Sequence, residues 1–468
     1  MNTPKSIIGL LFLISLALGS STADGADLVL AVTTDFSSSG SLSTLSVQAP
    51  WISDNDVATI HSDAVARVHD RMIYVVNRLV ADNIQVINPD ADFATVQQFS
   101  VGAASDPQDI AVISETRAYV SRHNSNLLLE VNPVTGEHLG TISLLEFADP
   151  DGLCEMHRMH IDGNYLYVQI QRLNRNANWV PVPPSLLAVI DLNTRQLVDV
   201  DPGEPGMQGI TLAGLNPIAP MQIDPVSGCL LVPEAGRYTV IDAGGIEAVD
   251  LSTWESTGFV TTEAQLGGDL LDFALWSSTK AYALISTASF NTLLLSFNPL
   301  TGDLIETMYN PGGYLLHDLL TYAGGYLYLA DRDYVTPGVR VFDTTTDQLI
   351  AGPIDTGLPP FELLLLPDPS SHLPEPSSQA EGIGRACPNP SGGGVRIHLQ
   401  SPAGEPLAAE VYDVFGRRIR AIAVPASRSD IVWDGFDQSG RCVPAGVYHL
   451  RLSAGKRLLD TQSIRIVR

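Results

Sequence analysis

The stretch from Cys154 to Asp162, CEMHRMHID, concentrates metal-binding residue types in one short segment. Its thiol and two imidazoles make Cys154, His157 and His160 candidate zinc ligands. The residues that follow, IDGNYLYVQI, are typical of a turn and a strand. In a strand, His157 and His160 would point to opposite faces, and Cys154 would lie about 20 Å from His160 at roughly 3.3 Å per residue. A structural strand is therefore preferred over a metal site.

The elements around this stretch follow a repeat that is clearest between Asp106 and Leu144. That segment divides into four β-rich runs separated by polar or Asn-Pro-x-x-Gly turns. Four strands in about 40 residues is the size of one propeller blade. The runs are Asp109–Ile113, Arg117–Ser121, Leu127–Val131 and His138–Leu144.

The same pattern recurs along most of the chain. A Tyr occupies the second run at Tyr74, Tyr119, Tyr167, Tyr282 and Tyr328. The turn after the third run begins at Asn88, Asn132, Asp191, Asp250, Asn298 and Asp343, at spacings of 44, 59, 59, 48 and 45 residues. We predict an all-β chain with a seven-bladed β-propeller over residues 27–368, closed by the N-terminal strands and the segment Phe361–Asp368.

Aligning the first positions of the predicted inner strands places charged residues around the central channel. These positions are Asp63, Asp109, Arg158, Met221, Asp272, Asp318 and Glu362. Five carboxylates and one Arg would form a ring that could bind a ligand or a cation, and calcium suits such a ring because it takes six to eight oxygen ligands. The preferred alternative is that each carboxylate caps a turn or accepts a hydrogen bond from a neighbouring backbone amide.

The charge of the chain is strongly negative and unevenly distributed. The net charge is −26, with 14 Lys and Arg against 45 Asp and Glu in residues 1–383, and 12 against 7 in residues 384–468. This balance argues against nucleic acid as a partner of the propeller.

Catalytic motifs are missing from the sequence. It contains no Gly-x-Ser-x-Gly elbow, phosphate-binding loop, His-Glu-x-x-His or haem attachment motif, so catalytic residues stay unknown. His61, His123 and His317 lie near predicted strand ends, where structural roles are preferred over proton transfer.

The N-terminus is typical of an export signal. Residues 1–23 combine a cationic start, a short apolar run and small residues, and no later run is long enough for a transmembrane helix. We therefore predict an exported protein at the cell surface or outside the cell. In an oxidising compartment its four cysteines would form two disulfides, Cys154 with Cys229 and Cys387 with Cys442, although three pairings are possible.

A Pro- and Ser-rich segment over residues 369–386 predicts a linker, followed by a small β-sandwich over residues 387–468. The predicted strands of the sandwich are Val395–Leu399, Ala409–Val414, Ile419–Val424, Asp430–Trp433, Gly446–Ser453 and Leu458–Ile466.

Two resemblances follow from these motifs. Tyr74-Val75-Val76-Asn77, the Asn-Pro-x-x-Gly turns at Asn132 and Asn298, and the start at Pro107 resemble the YVTN-type propeller repeats of bacterial surface proteins. Three segments of the C-terminal part resemble the C-terminal Ig-like domain of type IX secretion sorting tails and flagellar hook-capping proteins. They are PNPSGGGVRIHL, AEVYDVFGRRIRAI and WDGFDQSGRCVPAGVYHLRL. The second resemblance implies a domain that contacts export machinery or the cell envelope.

Three functions remain open at this point. The leading one is a non-catalytic binding or scaffold protein whose propeller face engages an unidentified macromolecule or small ligand. The alternative is an enzyme, similar to a propeller lactonase or lyase, with a divalent metal at the channel mouth. A structural role in a surface layer is the third.

Overall fold

A computed structural model describes residues 27–368 and, in the C-terminal part, residues 382–387, 395–400, 407–413, 416–424, 430–454 and 457–466. The predicted signal segment and most of the predicted linker lie outside the described residues. Among the described residues, almost every element is a β-strand, and the one α-helix, α1, is the single turn Glu263–Leu266.

The strands of residues 27–368 assemble into sheets in the order of the sequence. The first sheet contains β1 (Leu28–Thr34), β2 (Gly40–Ser46) and β3 (Ser53–Ile60). The second contains β4 (Ala64–His69), β5 (Met72–Asn77), β6 (Asn83–Asn88) and β7 (Ala94–Ser100). The third contains β8 (Pro107–Ser114), β9 (Arg117–Arg122), β10 (Leu127–Asn132) and β11 (Glu137–Ser143).

The fourth sheet carries a long insertion. Its strands are β12 (Met156–Asp162), β13 (Tyr165–Ile170), β16 (Leu186–Asp191), β17 (Gln196–Leu197) and β18 (Ile210–Thr211), and the insertion adds the small hairpin β14 (Leu173–Asn174) and β15 (Val180–Pro181). The fifth sheet contains β19 (Gln222–Ile223), β20 (Leu230–Glu234), β21 (Gly245–Asp250) and β22 (Glu255–Thr262).

The sixth sheet contains β23 (Asp269–Ser277), β24 (Lys280–Ser286), β25 (Thr292–Phe297) and β26 (Leu304–Tyr309). The seventh contains β27 (Leu316–Tyr322), β28 (Tyr326–Asp331), β29 (Gly338–Asp343) and β30 (Leu349–Ile354). The next strand, β31 (Pro360–Leu366), pairs with β1 and thus completes the first sheet as its inner strand.

The apolar cores lie between consecutive sheets rather than within one of them. Seven clusters of buried side chains each join two neighbouring sheets, and one of them joins Val29 and Ala31 of the first sheet to Tyr328 and Val341 of the seventh. A succession of sheets in which the last packs on the first is a closed ring, so no sheet is left with an uncovered face. The fold is a β-propeller, as the sequence predicts.

The repeat identified in the sequence is confirmed in the structure. The four predicted runs between Asp106 and Leu144 correspond to β8, β9, β10 and β11 to within two residues at each end. The recurring Tyr of the second strand is buried in every case, at Tyr74, Tyr119, Tyr167, Tyr282 and Tyr328.

The C-terminal part forms two further sheets. One contains β32 (Gly382–Cys387), β33 (Val395–Gln400) and β36 (Asp430–Trp433), and the other contains β34 (Leu407–Asp413), β35 (Arg418–Val424), β37 (Gly446–Ala454) and β38 (Arg457–Ile466). Their shared core centres on the fully buried Trp433. The strand β32 was not expected, so residues 382–386 belong to a sheet rather than to the linker.

The predicted disulfide between Cys154 and Cys229 is not present in this structure. Cys154 precedes an inner strand and is buried between the third and fourth sheets, whereas Cys229 follows the inner strand β19 in the next sheet. The two therefore lie at opposite ends of their sheets. Cys442 is an exposed thiol, and the Cys387 side chain lies outside the described residues, so that pairing stays a prediction.

Within the described residues, no helix has the length and apolar character needed to cross a membrane.

Candidate functional site: the channel mouth and the loop face

Irregular backbone aims the charged residues of the inner strands into the channel. The pairing register shifts between Pro107 and Asp109 in β8, between Leu270 and Asp272 in β23, and between Leu316 and Leu319 in β27. The register shifts in the same way at the pairing of β31 with β1, beside Glu362. Strict alternation would place these side chains on opposite faces. A bulge at one level of successive strands turns them towards the ring axis.

The carboxylates placed by these bulges hold neighbouring sheets together. Each accepts a hydrogen bond from a backbone N–H of the next inner strand. The contacts are Met159 to Asp109 at 2.8 Å, Leu319 to Asp272 at 2.9 Å, Leu363 to Asp318 at 2.7 Å and Ala66 to Glu362 at 2.7 Å. We call these four contacts the clasps. They match the alternative in which ring carboxylates bond neighbouring amides.

Asp63 does not belong to the ring. The strand β4 begins one residue later, at Ala64, and Asp63 instead accepts a hydrogen bond from Nε of Arg78 at 2.9 Å. The clasp from Glu362 reaches Ala66, so the ring position of the second sheet is occupied by the apolar Val65. The sequence alignment of Asp63 with the other five residues is therefore wrong by two positions.

Two arginines share the acidic side of the channel. Arg67 donates from Nε to Asp109 at 2.8 Å and from Nη1 to Glu362 at 3.0 Å. Arg158 approaches the same Glu362 oxygen with Nη2 at 3.3 Å, while its Nε and Nη1 are buried and have no hydrogen-bond partner among the described residues. Arg67 was missed in the sequence because it lies two residues beyond the ring position, Val65, and only the first position of each inner strand was aligned.

The ring carboxylates differ in protonation. Burial and the neighbouring Asp272 and Glu362 raise the pKa of Asp318 well above its usual range. Burial raises the pKa of Asp272 to about 7, whereas Arg67 and Arg158 hold the pKa of Glu362 below its usual range against the opposing effect of burial. Negative charge is therefore concentrated where the arginines lie.

The motif CEMHRMHID forms β12, as predicted, but not with strict alternation. A bulge between Met156 and Met159 shifts the register and lets Arg158 face Glu362. His157 Nδ1 lies 3.4 Å from Gln169, and burial together with Arg158 lowers the pKa of His157 well below its usual range. His160 pairs across the hairpin with Tyr167.

Aromatic and cationic side chains meet above the ring, at Phe361. The guanidinium of Arg78 lies 5.6 Å and that of Arg332 6.0 Å from the Phe361 ring centre. The His317 ring stacks against Phe361 at 4.0 Å, and its Nδ1 lies 2.6 Å from the Phe361 carbonyl oxygen. Burial and Arg332 lower the pKa of His317 to about 3, so this histidine is neutral at pH 7.

His123 and His61 have local roles as well. Burial and Arg175 lower the pKa of His123 to about 4, and its ring stacks against Trp179 at 5.7 Å. His61 Nδ1 accepts a hydrogen bond from the Asp63 backbone at 3.2 Å. These contacts are those of structural histidines, the interpretation preferred from the sequence.

One face of the propeller carries exposed apolar side chains on nearly every loop. We call it the loop face: it is the end of the ring formed by the connections between the second and third strands of each sheet. The exposed residues are Phe36, Leu79, Val80, Trp179, Tyr238, Val240, Phe290, Tyr334 and Val335, joined by Tyr314 on the connection from β26 to β27. Because the clasps join inner strands at the same level, these connections all lie at one end.

Neighbouring loops of this face touch one another. Arg332 lies 5.5 Å from the Phe36 ring and 5.9 Å from the Tyr314 ring. Tyr314 also lines a cavity of about 370 Å³ between the fifth and sixth sheets, with Tyr238, Asp269, Leu271, Ser286 and Phe290. The loops from the fifth sheet round to the first therefore form a patch of neighbouring aromatic side chains on the loop face.

A sequence signal for part of this site was present and not used. Four second strands end at or beside an arginine: Arg78, Arg122, Arg172 and Arg332. A basic residue repeated at the same point of a blade, in a chain so acidic, indicates cations on the loop face.

The described residues contain no group of three or more His, Cys, Asp and Glu arranged to hold a metal ion. The calcium proposed for the ring thus gains no support from the geometry, since the ring oxygens face backbone amides and guanidinium groups.

Comparison with known families supports the C-terminal part. Residues 389–457 match the model of the FlgD Ig-like domain. A search of curated proteins finds no match to the chain.

Several solved structures resemble the propeller at low identity. The apo form of AztD from Citrobacter koseri is 12% identical, with a TM-score of 0.45 over 73% of this chain and 98% of that one. PpgL, a periplasmic gluconolactonase from Pseudomonas aeruginosa, is 12% identical, with a TM-score of 0.48 over 73% of this chain and 99% of that one. A functionally unknown protein from Desulfotomaculum acetoxidans DSM 771 gives the same identity, TM-score and coverage as PpgL. Such distant likeness does not transfer an activity.

Proposed function

We propose that this chain is an exported, non-catalytic binding protein whose loop face binds a protein partner. The observation that carries the proposal is the set of exposed aromatic and aliphatic side chains on the loop face, from Phe36 to Val335. Exposed apolar surface has a cost in water, and continuous surface of this kind marks interaction sites. Aromatic residues and arginine are the types enriched in the buried centres of protein interfaces.

The extent of this surface favours a macromolecule over a small ligand. The exposed side chains are spread over loops of the first, second, fourth, fifth, sixth and seventh sheets. A small molecule in the cavity beside Tyr314 would leave most of them in water. The clasps support a binding role as well, because Asp109, Asp272, Asp318 and Glu362 use oxygen atoms to hold the ring together.

We further propose that the C-terminal domain directs the protein to the cell surface or anchors it there. The export-type N-terminus, the FlgD Ig-like match and the resemblance to type IX sorting tails support this role. The YVTN-like repeats favour the same location, since that family is displayed on bacterial surfaces. The propeller would then present its loop face to partners outside the cell.

The proposal is tested by capture of extracellular and surface proteins on three forms of the full-length chain. One form is unchanged, one combines Trp179→Ser, Phe290→Ser and Tyr334→Ser, and the control combines Val134→Ser and Leu300→Ser. The control residues are exposed and apolar but lie on turns between third and fourth strands, at the opposite end of the sheets. A protein retained by the unchanged and control forms but lost from the triple variant supports the proposal, and identical captures by all three forms contradict it.

A further inference from the structure

Arg158 has a buried guanidinium whose N–H groups do not all have acceptors among the described residues. The residue is 9% exposed, and its Nε and Nη1 have no hydrogen-bond partner among the described residues. A buried charged donor without an acceptor is more costly than a neutral one. Its single ion pair, at 3.3 Å, goes to a Glu362 oxygen that Arg67 already occupies at 3.0 Å.

The surroundings of Arg158 are rich in positive charge although the propeller is acidic. Only 14 Lys and Arg occur in residues 1–383, yet Arg67, Arg78, Arg158 and Arg332 gather at the channel mouth. Arg67 and Arg78 have carboxylate partners, whereas Arg332, in the described part of the chain, contacts the rings of Phe36, Tyr314 and Phe361 instead. Among the described residues, Arg332 has no carboxylate partner.

The chemistry that completes this arrangement is an oxyanion with an apolar group beside it. A carboxylate accepts charge-assisted hydrogen bonds from guanidinium N–H groups, and these are about twice as strong as neutral ones. The rings of Phe361 and Tyr314, which Arg332 contacts, border the mouth and would contact the apolar body next to the anion. A protein partner supplies both features when an acidic side chain or a C-terminal carboxylate adjoins a hydrophobic residue.

We propose that the channel mouth binds a carboxylate of the polypeptide partner, with Arg158 as the main contact and Arg332 at the entrance. This inference rests on the proposed function, because it specifies which group of the partner enters the centre of the loop face. The clasped carboxylates would fix the inner strands so that Arg158 is held in place before the partner arrives.

Calorimetric titration of the full-length chain at low ionic strength tests this directly. The probes are N-acetyl-phenylalanine, which carries a carboxylate, and N-acetyl-phenylalanine amide, which differs only in lacking that charge. We expect saturable one-to-one binding of the acid and at least tenfold weaker binding of the amide. Equal binding of the two probes, or no binding of the acid, overturns the inference.

Variants assign the binding to Arg158. Arg158→Gln should weaken binding of the acid at least tenfold, and Arg158→Lys should restore part of it. The control is Arg195→Gln, which removes the same charge from an exposed arginine paired with Glu130 at 3.5 Å, away from the mouth. Unchanged affinity in Arg158→Gln overturns the inference. Should that variant lose its native circular dichroism, Arg332→Gln at the more exposed entrance replaces it, with at least threefold weakening expected.

Two further probes distinguish other sources of the anion. Binding of oligogalacturonate or of phenyl phosphate that exceeds binding of N-acetyl-phenylalanine by tenfold would overturn the assignment to a polypeptide carboxylate. Failure of all anions, together with loss of the captured partner in the aromatic triple variant, would remove this inference and leave the proposed function standing. Retention of the partner by the triple variant would instead contradict the proposed function.

Discussion

At three buried glutamates in or beside the fifth sheet, the protonation state of a single side chain affects the stability of the protein. Glu234, Glu247 and Glu263 have no exposed surface. Burial and the nearby Glu247 raise the pKa of Glu234 well above its usual range. Burial, followed by Asp269, raises the pKa of Glu263 to about 8, even though its Oε1 accepts a hydrogen bond from Leu270 at 2.8 Å. Both side chains are therefore neutral at pH 7.

Replacing Glu263 by Gln should stabilise the protein in alkaline solution. A carboxyl whose folded pKa exceeds its unfolded value stabilises the fold below pH 4.5, and this contribution is lost as pH rises to about 8. Glu263→Gln removes that loss, so its free energy of unfolding should exceed that of the unchanged chain by roughly 2–4 kcal/mol at pH 9, with a small difference at pH 5. Urea unfolding at both pH values measures this. The exposed Glu255→Gln is the control, and a difference independent of pH would contradict the account.

The state of Cys154 is a second residue-scale prediction. Burial raises the pKa of its thiol to about 12, so almost none of it is thiolate at pH 8. Iodoacetamide should leave Cys154 unmodified in the native protein and alkylate it fully in guanidinium chloride, as read by mass spectrometry of tryptic peptides. A peptide linking Cys154 to Cys229 in a non-reducing digest would show that the predicted disulfide, which is not present in this structure, forms in the protein.

At the scale of elements, the clasps link the inner strand β8 to β12, and they link β23, β27, β31 and β4 in succession. Asp109→Ala would leave the Met159 N–H and the Nε of Arg67 without their acceptor in a buried site, although Arg67 would keep its contact with Glu362. We expect a loss of roughly 3 kcal/mol in the free energy of unfolding, since breaking a buried ion pair by removing one partner is strongly destabilising.

The matched control for this change is Asp90→Ala. Asp90 pairs with Arg71 at 2.8 Å but is exposed, and such pairs contribute about 0–1 kcal/mol. Chemical denaturation of the two variants should separate them by at least 1 kcal/mol. An equal effect of both changes would mean that the clasps do not hold the sheets together.

The regular part of each element could be predicted from the sequence, and the irregular part could not. Tyr119, the turn at Asn132 and the β-rich runs between them repeat because every sheet buries the same positions. The bulges beside Asp109 and Asp272 carry no local sequence signal, because they depend on the pairing of β8 with β9 and of β23 with β24. For the same reason, Asp63 was assigned to the ring position that Val65 occupies.

The short strand β19 and the insertion between β13 and β16 were also beyond prediction in detail. The fourth and fifth units have longer spacings, which located the insertions but not their structure. The insertion brings Trp179 onto the loop face and Arg175 within 4.9 Å of its ring. Both positions result from tertiary contacts, chiefly the ion pair of Arg175 with the buried Glu155 at 3.3 Å.

At the scale of the whole molecule, the loop face differs from the opposite end of the propeller in its side chains. The loop face combines aromatic side chains with the arginines around Phe361, while the chain as a whole carries a net charge of −26. Such local reversal of charge steers a partner to one orientation, because the rest of the surface repels the acidic group that the mouth attracts. The binding should therefore weaken as salt screens the long-range part of this attraction.

Hydrogen–deuterium exchange of the full-length chain, with and without the partner captured by its loop face, tests the central claim most directly. The account predicts protection of the loops at residues 35–39, 78–82, 171–185, 235–244, 287–291 and 332–337, and unchanged exchange at the opposite turns, residues 132–137, 298–303 and 343–348. Protection of the opposite turns with unchanged exchange on the loop face would contradict it.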